Sequence, residues 1–258
     1  MRHTATIAGR EIRSLFSTPV AYVLMAGYLV LAGYFFFVGL AVFLENLQLV
    51  QAVQRFDLLE QFNLNEQVIG PAFGSFSVIL IFLVPLVTMR AFAEERANGT
   101  LELLLTSPLS VWELVLGKYL GVLAVIAILV GVSGLFPALL FLYGNPEPLQ
   151  TLSGLLGLFF YGAALAALGC FASALTGSQI VAAVISIIVG LILYLLEFVG
   201  QLAPEGASRG FVQYLAVGPH FEPALRGELR SEDLVYYGVF IVFFLTLVRA
   251  AVESFRWR

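Results

Sequence analysis

The chain has 258 residues, of which 60% are hydrophobic and only 12% are charged, and its mean hydropathy is +0.96. This balance lies far from that of soluble domains, which excludes an ordinary soluble enzyme or binding module and predicts an all-α, polytopic membrane protein. The net charge is −4, and we expect no nucleic-acid partner.

The first predicted element is an amphipathic helix within residues 1–19. Its apolar side chains share one broad arc, and its arginines, among them Arg10 and Arg13, lie on the opposite side. Such a helix is typical of the membrane interface, where its basic side meets lipid head groups. Glu11 is the exception because it projects from within the apolar arc. It either snorkels or bonds locally, or it pairs with Arg90 or Arg96.

Six apolar stretches follow, each long enough to cross a bilayer as a helix. They are residues 20–44, 73–92, 114–143, 152–175, 180–202 and 234–252, in a single transmembrane domain over residues 1–258. Pro85 in the second stretch and Pro137 in the third predict a kink or break. Within the loop 203–233, the apolar run 211–217 is too short to cross a bilayer, so we expect a re-entrant or interfacial segment.

The basic residues set the expected orientation. With both termini on one side, that side holds nine of the thirteen lysines and arginines, and most acids fall on the other. We therefore expect a multi-pass protein of the bacterial plasma (inner) membrane with both termini in the cytoplasm. The loop 203–233 is then external, and segment 94–113, between the second and third stretches, is cytoplasmic.

Segment 94–113 combines charged residues, turn signals and a leucine cluster. Asn98-Gly99 predicts a turn, after which Thr100 can cap a short helix. Ser107-Pro108 predicts the start of a second helix, and Ser110 with Glu113 offers an alternative capping box at the third span. The segment is therefore expected to project from the membrane as two short helices.

This segment resembles the corresponding part of ABC type-2 transporter permeases. The likeness rests on Glu94-Glu95-Arg96, Gly99-Thr100-Leu101-Glu102, Leu105-Thr106-Ser107-Pro108, Glu113 and Gly117-Lys118. Residues 10–19 are similar to the amphipathic elbow of those permeases, and the order of six spans also agrees. Within the family, the motifs between His220 and Tyr237 look most like the gliding-motility and nitrous-oxide-reductase-maturation group.

The resemblance implies that segment 94–113 is a coupling helix seated on a cytoplasmic ABC ATPase subunit. Thr100 and Pro108 would fix its helix ends, Leu103 and Leu104 would fill the partner's groove, and its charged residues would set the polar register. The residues implied in this contact are Glu94, Glu95, Arg96, Gly99, Thr100, Glu102, Leu103, Leu104, Thr106, Ser107 and Pro108. A second permease chain, as homodimer or heterodimer, and an accessory external or membrane subunit are further expected partners.

The chain carries no phosphate-binding loop, because Gly117-Lys118-Tyr119 lacks both the preceding glycine and the following hydroxyl. We therefore expect no enzyme activity, cofactor or metal in this chain, and ATP with Mg²⁺ on the partner. Candidate path or external residues are Glu197, an acid within the fifth span, and Glu222 and Arg226 in the last loop. A gradient-driven transporter or channel and a non-transporting scaffold are the alternatives.

Overall fold

The structure is a computed structural model that describes residues 2–52, 62–100, 109–202 and 207–255. Every regular element in these ranges is helical. The elements are α1 (Arg2–Ser17), α2 (Pro19–Ala52), a π-helix (Asn65–Ile69), α3 (Gly70–Thr88), α4 (Arg90–Ala97), α5 (Val111–Ser133), α6 (Leu135–Tyr143), α7 (Pro148–Leu175), α8 (Gln179–Leu202), α9 (Ala207–Leu215), α10 (Glu222–Leu225) and α11 (Ser231–Ser254).

Six helical stretches of the described chain are long and apolar enough to cross a bilayer. They are Pro19–Ala52, Asn65–Ala97, Val111–Tyr143, Pro148–Leu175, Gln179–Gly200 and Ser231–Ser254. The prediction of an all-α, multi-pass membrane protein is thus confirmed. The helices run past the predicted bounds because polar residues end an apolar stretch without ending a helix. The first continues through Glu45 to Ala52, for example.

The two intrahelical prolines act differently. Helix α5 ends at Ser133, the residue whose carbonyl would face the ring of Pro137 four positions later, and α6 begins at Leu135. The predicted break near Pro137 is therefore confirmed. Helix α3 instead continues through Pro85 to Thr88, and the interruption comes at Met89, before α4.

Helix α7 is the centre of the bundle, since 72% of the residues in its most apolar 18-residue stretch are buried. Its glycines let neighbouring helices approach closely: a Cβ on Gly154 would lie 2.6 Å from the ring of Phe73, and one on Gly169 would lie 2.1 Å from Thr88 Oγ1. Helix α3 therefore packs along the length of α7.

The bundle has two ends, which we name by the short helices found there. At the α1 end, α1 and α4 meet the beginning of α5 and the last turns of α7 and α11; Arg96 Nη1 donates to the carbonyl of Leu175 at 2.8 Å. At the α10 end, Asn65 Oδ1 accepts from the amide of Glu147 at 2.7 Å, and Gln150 Nε2 donates to the carbonyl of Leu225 at 2.9 Å.

The predicted re-entrant run 211–217 comprises the end of α9 and the turn after it. Ala216 and Val217 are buried, and the hydroxyl of Tyr237, on α11, donates to the carbonyl of Val217 at 3.2 Å. Tyr236 donates likewise to the carbonyl of Leu215 at 3.1 Å. The segment is thus attached to the first turns of α11, while its placement in the membrane stays a prediction.

Candidate functional site

A buried lysine at the α1 end joins three helices. Lys118, on α5, has a side chain only 2% exposed. Its Nζ lies 2.8 Å from Oε1 of Glu95, on α4, and 3.6 Å from Oε2 of Glu11, on α1. It also lies 5.4 Å from the ring centroid of Phe92. We call Lys118, Glu11, Glu95 and Arg10 the charge cluster.

Arg10 completes the balance of charge, because its Nη2 donates to the same oxygen of Glu95 at 3.3 Å. Its side chain is 58% exposed, so it covers the solvent side of the cluster. Two cations thus face two carboxylates. Removing charges from water is costly, and breaking such a group is strongly unfavourable. The cluster therefore resists separation of α1, α4 and α5.

Two glycines of α5 create the surface on which α1 lies. A Cβ on Gly117 would be 2.7 Å from Cβ of Ile7, and one on Gly121 would be 2.7 Å from Cβ of Glu11. The G-x-x-x-G spacing predicts close helix approach. The helix that approaches is α1 of the same chain.

The prediction that Glu11 pairs with Arg90 or Arg96 is wrong, because its carboxylate turns towards α5 and meets Lys118. Arg96 points elsewhere, towards Leu175 and the ring of Phe255, whose centroid is 4.2 Å from its guanidinium carbon. Burial raises the pKa of Glu11, and the positive charge of Lys118 offsets part of that rise. The apolar arc of α1 thus accepts this acid because α5 supplies a buried cation.

The turn in segment 94–113 is confirmed. Gly99 has φ of +69°, a left-handed conformation that glycine adopts readily, and the amide of Asn98 donates to Glu94 O at 3.0 Å. The hydroxyl of Thr100 donates back to the carbonyl of Glu95 at 3.2 Å. Thr100 therefore closes the end of α4, while the helix that it is predicted to cap lies outside the described residues. Six predicted contact residues lie outside the described residues: Glu102, Leu103, Leu104, Thr106, Ser107 and Pro108.

The capping-box alternative at the start of α5 is confirmed. The amide of Glu113 donates to Ser110 Oγ at 3.2 Å, and the amide of Ser110 donates to Glu113 Oε2 at 3.1 Å. These bonds satisfy backbone donors that a helix start leaves free. The chain therefore enters α5 in a defined direction, about two turns before Lys118.

A serine of α7 holds the interruption between α3 and α4. Ser173 Oγ accepts from the amides of Phe92 and Ala93, both at 3.0 Å, and donates to the carbonyl of Met89 at 2.9 Å. Helix α4 is thereby fixed to the central helix. The sequence gives no signal for this role, because Ser173 lies in an ordinary run of small residues. Lys118 had a signal, since it is a single cation among apolar neighbours.

A polar cavity of about 430 Å³ lies beside the charge cluster, between α1 and α4. Its walls include all four cluster residues. The complete lining is Arg10, Glu11, Ser14, Arg90, Glu94, Glu95, Asn98, Thr100 and Lys118. Glu94 and Arg13 are exposed and lie on the surface around this end. Of the described residues predicted to contact an ATPase, Glu94, Glu95 and Thr100 thus line one polar cavity, whereas Arg96 points away from it.

The remaining predicted site residues lie at the α10 end. The carboxylate of Glu197 lies against Gly218, where a Cβ would come 2.2 Å from Oε2. Glu222 and Arg226 form an ion pair one helical turn apart, with side chains 55% and 68% exposed. The next acid along the chain, Glu228, pairs with Arg230 instead. These residues are not part of the charge cluster.

Comparison with known proteins yields one family. The sequence model described as ABC-2 family transporter protein matches residues 45–215, more than half of the chain. The matched range contains α3, α4, α5 and α7, whereas α1 precedes it. No curated protein matches the chain.

Proposed function

The chain belongs to the ABC-2 family of transporter proteins, and on that premise we propose that it couples a separate ATPase subunit to movement in the membrane. A permease of this family is the transmembrane component and not the ATPase. ATP and Mg²⁺ are accordingly assigned to the partner. Two permease chains, identical or different, complete the assembly, and the α1 end faces the cytoplasm of a bacterial cell.

The charge cluster is the observation that carries this proposal. Segment 94–113 begins in α4 and ends in the first turn of α5, and Lys118 joins these two helices through Glu95. Glu11 adds α1 to the same unit. A force applied to the segment therefore reaches the second and third spans and the N-terminal helix together.

The stiffness of the joint between α1, α4 and α5 has a physical origin. Lys118, Glu11 and Glu95 are largely withdrawn from water, with side chains 2%, 13% and 15% exposed, so the ion pairs of Lys118 are weakly screened and cannot be exchanged for solvent at low cost. Ser173 holds the other side of α4 against α7. An ordinary solvated loop between two spans would lack both attachments and would absorb motion instead of passing it on.

The test is copurification from mild detergent with the intact protein and with the double variant Leu103→Asp plus Leu104→Asp. Partners are identified by mass spectrometry, and the eluate is assayed for ATP hydrolysis. The matched control is Leu229→Asp, which changes an exposed leucine at the α10 end. We expect an ABC ATPase with the intact protein and with the control, and its loss in the double variant while the membrane protein stays monodisperse.

Three other outcomes would contradict the proposal. Absence of an ATPase from the intact preparation favours a transporter driven by an ion gradient. An ATPase that binds the double variant as well places the contact outside Leu103 and Leu104. The distance between labels on α1 and α11 reports movement. A partner that binds without any change of this distance on nucleotide addition would favour a scaffold.

A narrower proposal concerns the cargo and the subgroup. Charged residues are scarce in the spans, which suits a lipidic or amphipathic cargo, a polypeptide, or mechanical coupling to an external partner.

The likeness to the gliding-motility and nitrous-oxide-reductase-maturation group rests on residues 220–237, which lie beyond the matched range 45–215. There His220 Nδ1 lies 2.7 Å from Asp233 Oδ1 and its ring stacks on Tyr236 at 3.8 Å. Glu197 is the candidate path residue.

A further inference from the structure

Helix α3 leaves one of its faces partly open near the α10 end. The residues on this face are Pro71, Gly74, Ser75, Val78 and Phe82, which recur at the three- and four-residue spacing of one helical face. Two hollows open along it: Pro71 and Gly74 line the first, and the other three residues line the second. Gly74 and Val78 are about one turn apart, so the hollows follow each other along the helix as one groove.

The first hollow of this groove is polar and has a volume of about 560 Å³. Its charged groups are Glu66, just before α3, and Glu222 and Arg226, at α10. Arg226 uses Nη2 for its pair with Glu222, and its other nitrogens make no hydrogen bond within the described part of the chain. Glu66 is exposed and forms no ion pair there. Two carboxylates therefore face one guanidinium, which leaves the hollow with an excess of negative charge.

The second hollow is apolar and has a volume of about 340 Å³. Leu31 and Phe35 of α2 form its other wall, and both are exposed, as is Phe82. Ser75 also lines it, but its hydroxyl is engaged by the carbonyl of Pro71 at 3.0 Å. A closed apolar cavity of about 150 Å³ already holds benzene. The second hollow is therefore large enough for part of a hydrocarbon chain.

Gly74 joins the two hollows. A Cβ at this position would meet nothing within 4 Å, so the surface of α3 is open there. The apolar stretch predicted for the second span begins at residue 73, which places the polar hollow at the level of the lipid head groups and the apolar hollow within the hydrocarbon. The groove thus changes from polar to apolar in the same direction as the bilayer around it.

The charged groups of the groove indicate which head group fits it. A guanidinium binds the oxygens of a phosphodiester through charge-assisted hydrogen bonds, and a carboxylate binds an ammonium group. A phosphatidylethanolamine head group offers both, whereas phosphatidylglycerol offers only the phosphodiester. We propose that the groove binds a phosphatidylethanolamine molecule, with its phosphodiester on Arg226, its ammonium group on Glu66 and one acyl chain between α2 and α3.

This lipid lies in the leaflet at the α10 end. Its head group connects Glu66, before the second span, with Arg226, in the last loop, and its acyl chain covers the exposed side chains of Leu31 and Phe82. Its binding does not depend on an ATPase, so the inference can fail while the proposed function holds, and the reverse is equally true.

The test uses the full chain in nanodiscs of phosphatidylcholine, whose quaternary ammonium cannot donate a hydrogen bond. Each preparation contains a small fraction of phosphatidylethanolamine or of phosphatidylglycerol with a photoreactive group midway along one acyl chain. After illumination, labelled peptides are mapped by mass spectrometry. We expect labelling of α2 near residues 31–35 and of α3 near residues 75–82. The ethanolamine lipid should label them about three- to fivefold more strongly, as an exposed ion pair allows.

Two variants with matched controls test the two parts of the groove. Glu66→Gln should remove the preference for the ethanolamine lipid, whereas Glu232→Gln, which neutralises an exposed acid at the same end but outside the groove, should keep it. Gly74→Phe blocks the passage between the hollows and should lower labelling by both lipids. Its control is Gly238→Phe on α11, where a Cβ also meets nothing within 4 Å, and labelling should equal that of the wild type.

The inference is overturned if both lipids label the wild type alike, or if Gly74→Phe is labelled as strongly as the wild type. Absence of label from the groove would also overturn it and would favour a second copy of the chain on this face. Full competition by glycerophosphoethanolamine, which has no acyl chains, would show that the site recognises a free phosphodiester instead of a lipid. Thermal unfolding in the same nanodiscs reports the fold of each variant, and Glu66→Gln, which changes an exposed side chain, decides the outcome if Gly74→Phe folds poorly.

Discussion

The two ends of the helix bundle are joined by different chemistry. At the α1 end, charged side chains are buried together, with Lys118 only 2% exposed. At the α10 end, the ion pair Glu222–Arg226 is on the surface, and buried contacts are made by neutral amides and hydroxyls such as Asn65 and Ser153. The contact of His220 with Asp233, whose side chains are 11% and 13% exposed, is the exception at the α10 end. At the α1 end, two cations meet two carboxylates.

This contrast between the two ends indicates which contacts hold helices in place. An exposed ion pair contributes about 0–1 kcal/mol, since water competes for both partners. A buried pair adds little net stability but makes loss of one partner expensive. A buried neutral hydrogen bond lies between these cases. The α1 end should accordingly be the more sensitive to a single change of charge.

Lys118→Met is expected to have the largest effect. It leaves Glu11 without its cation and Glu95 with Arg10 alone, which should cost about 3–5 kcal/mol of stability. The measurement is thermal unfolding in detergent. Arg226→Met removes an exposed partner at the other end and should cost at most about 1 kcal/mol.

A triple variant separates charge from packing at this site. Adding Glu11→Gln and Glu95→Gln to Lys118→Met removes the unpaired charges, so most of the lost stability should return. If Lys118→Met and Arg226→Met unfold alike, the contrast between the two ends does not hold.

Asn65→Ala tests the neutral contacts of the α10 end. It deprives the amide of Glu147 of its acceptor at 2.7 Å and the carbonyl of Glu147 of a donor at 3.0 Å. An unsatisfied buried group costs about 1–3 kcal/mol, so we expect a loss smaller than that of Lys118→Met. Asn98→Ala, in an exposed turn, is the control. A loss equal to that of Lys118→Met would show that buried charge has no special weight.

Gly121→Ala tests the contact between α1 and α5. The added Cβ would meet Cβ of Glu11 at 2.7 Å, so α1 must shift, and overpacking of this kind costs about 1–3 kcal/mol. Faster trypsin cleavage at Arg10 or Arg13 would report release of α1. Gly131→Ala lies on the same helix, where a Cβ meets nothing within 4 Å, and should leave cleavage unchanged. Equal cleavage of both variants would contradict this packing.

The smallest expected effect is a dependence on pH. Burial raises the pKa of Glu11 above its ordinary value of 4.5, so the folded state binds this proton more tightly than the unfolded chain does. The stabilisation is present below that value and is lost as pH rises through the raised pKa. Glu11→Gln should therefore flatten the unfolding profile from pH 4.5 up to the raised pKa of Glu11. Identical profiles would show that Glu11 does not titrate differently on folding.

Local signals in the candidate site were predictable. The turn at Asn98-Gly99 follows from glycine's access to positive φ, and the capping box of Ser110 and Glu113 involves residues three positions apart. The partner of Glu11 was not predictable. Its choice between Arg90, Arg96 and Lys118 depends on how α1 is rotated against α5, and that rotation is set by contacts such as Ile7 on Gly117.

The six spanning helices follow from the amino-acid sequence alone, because about 20 consecutive apolar residues fit a membrane only as a helix that satisfies its own backbone hydrogen bonds. So do the positions of caps and turns, which involve neighbouring residues. The contacts of Lys118 with Glu11 and Glu95, and of Ser173 with α4, depend instead on how the helices pack. These residues are distant along the chain, and the strength of an ion pair or hydrogen bond depends on distance and burial, which folding alone fixes.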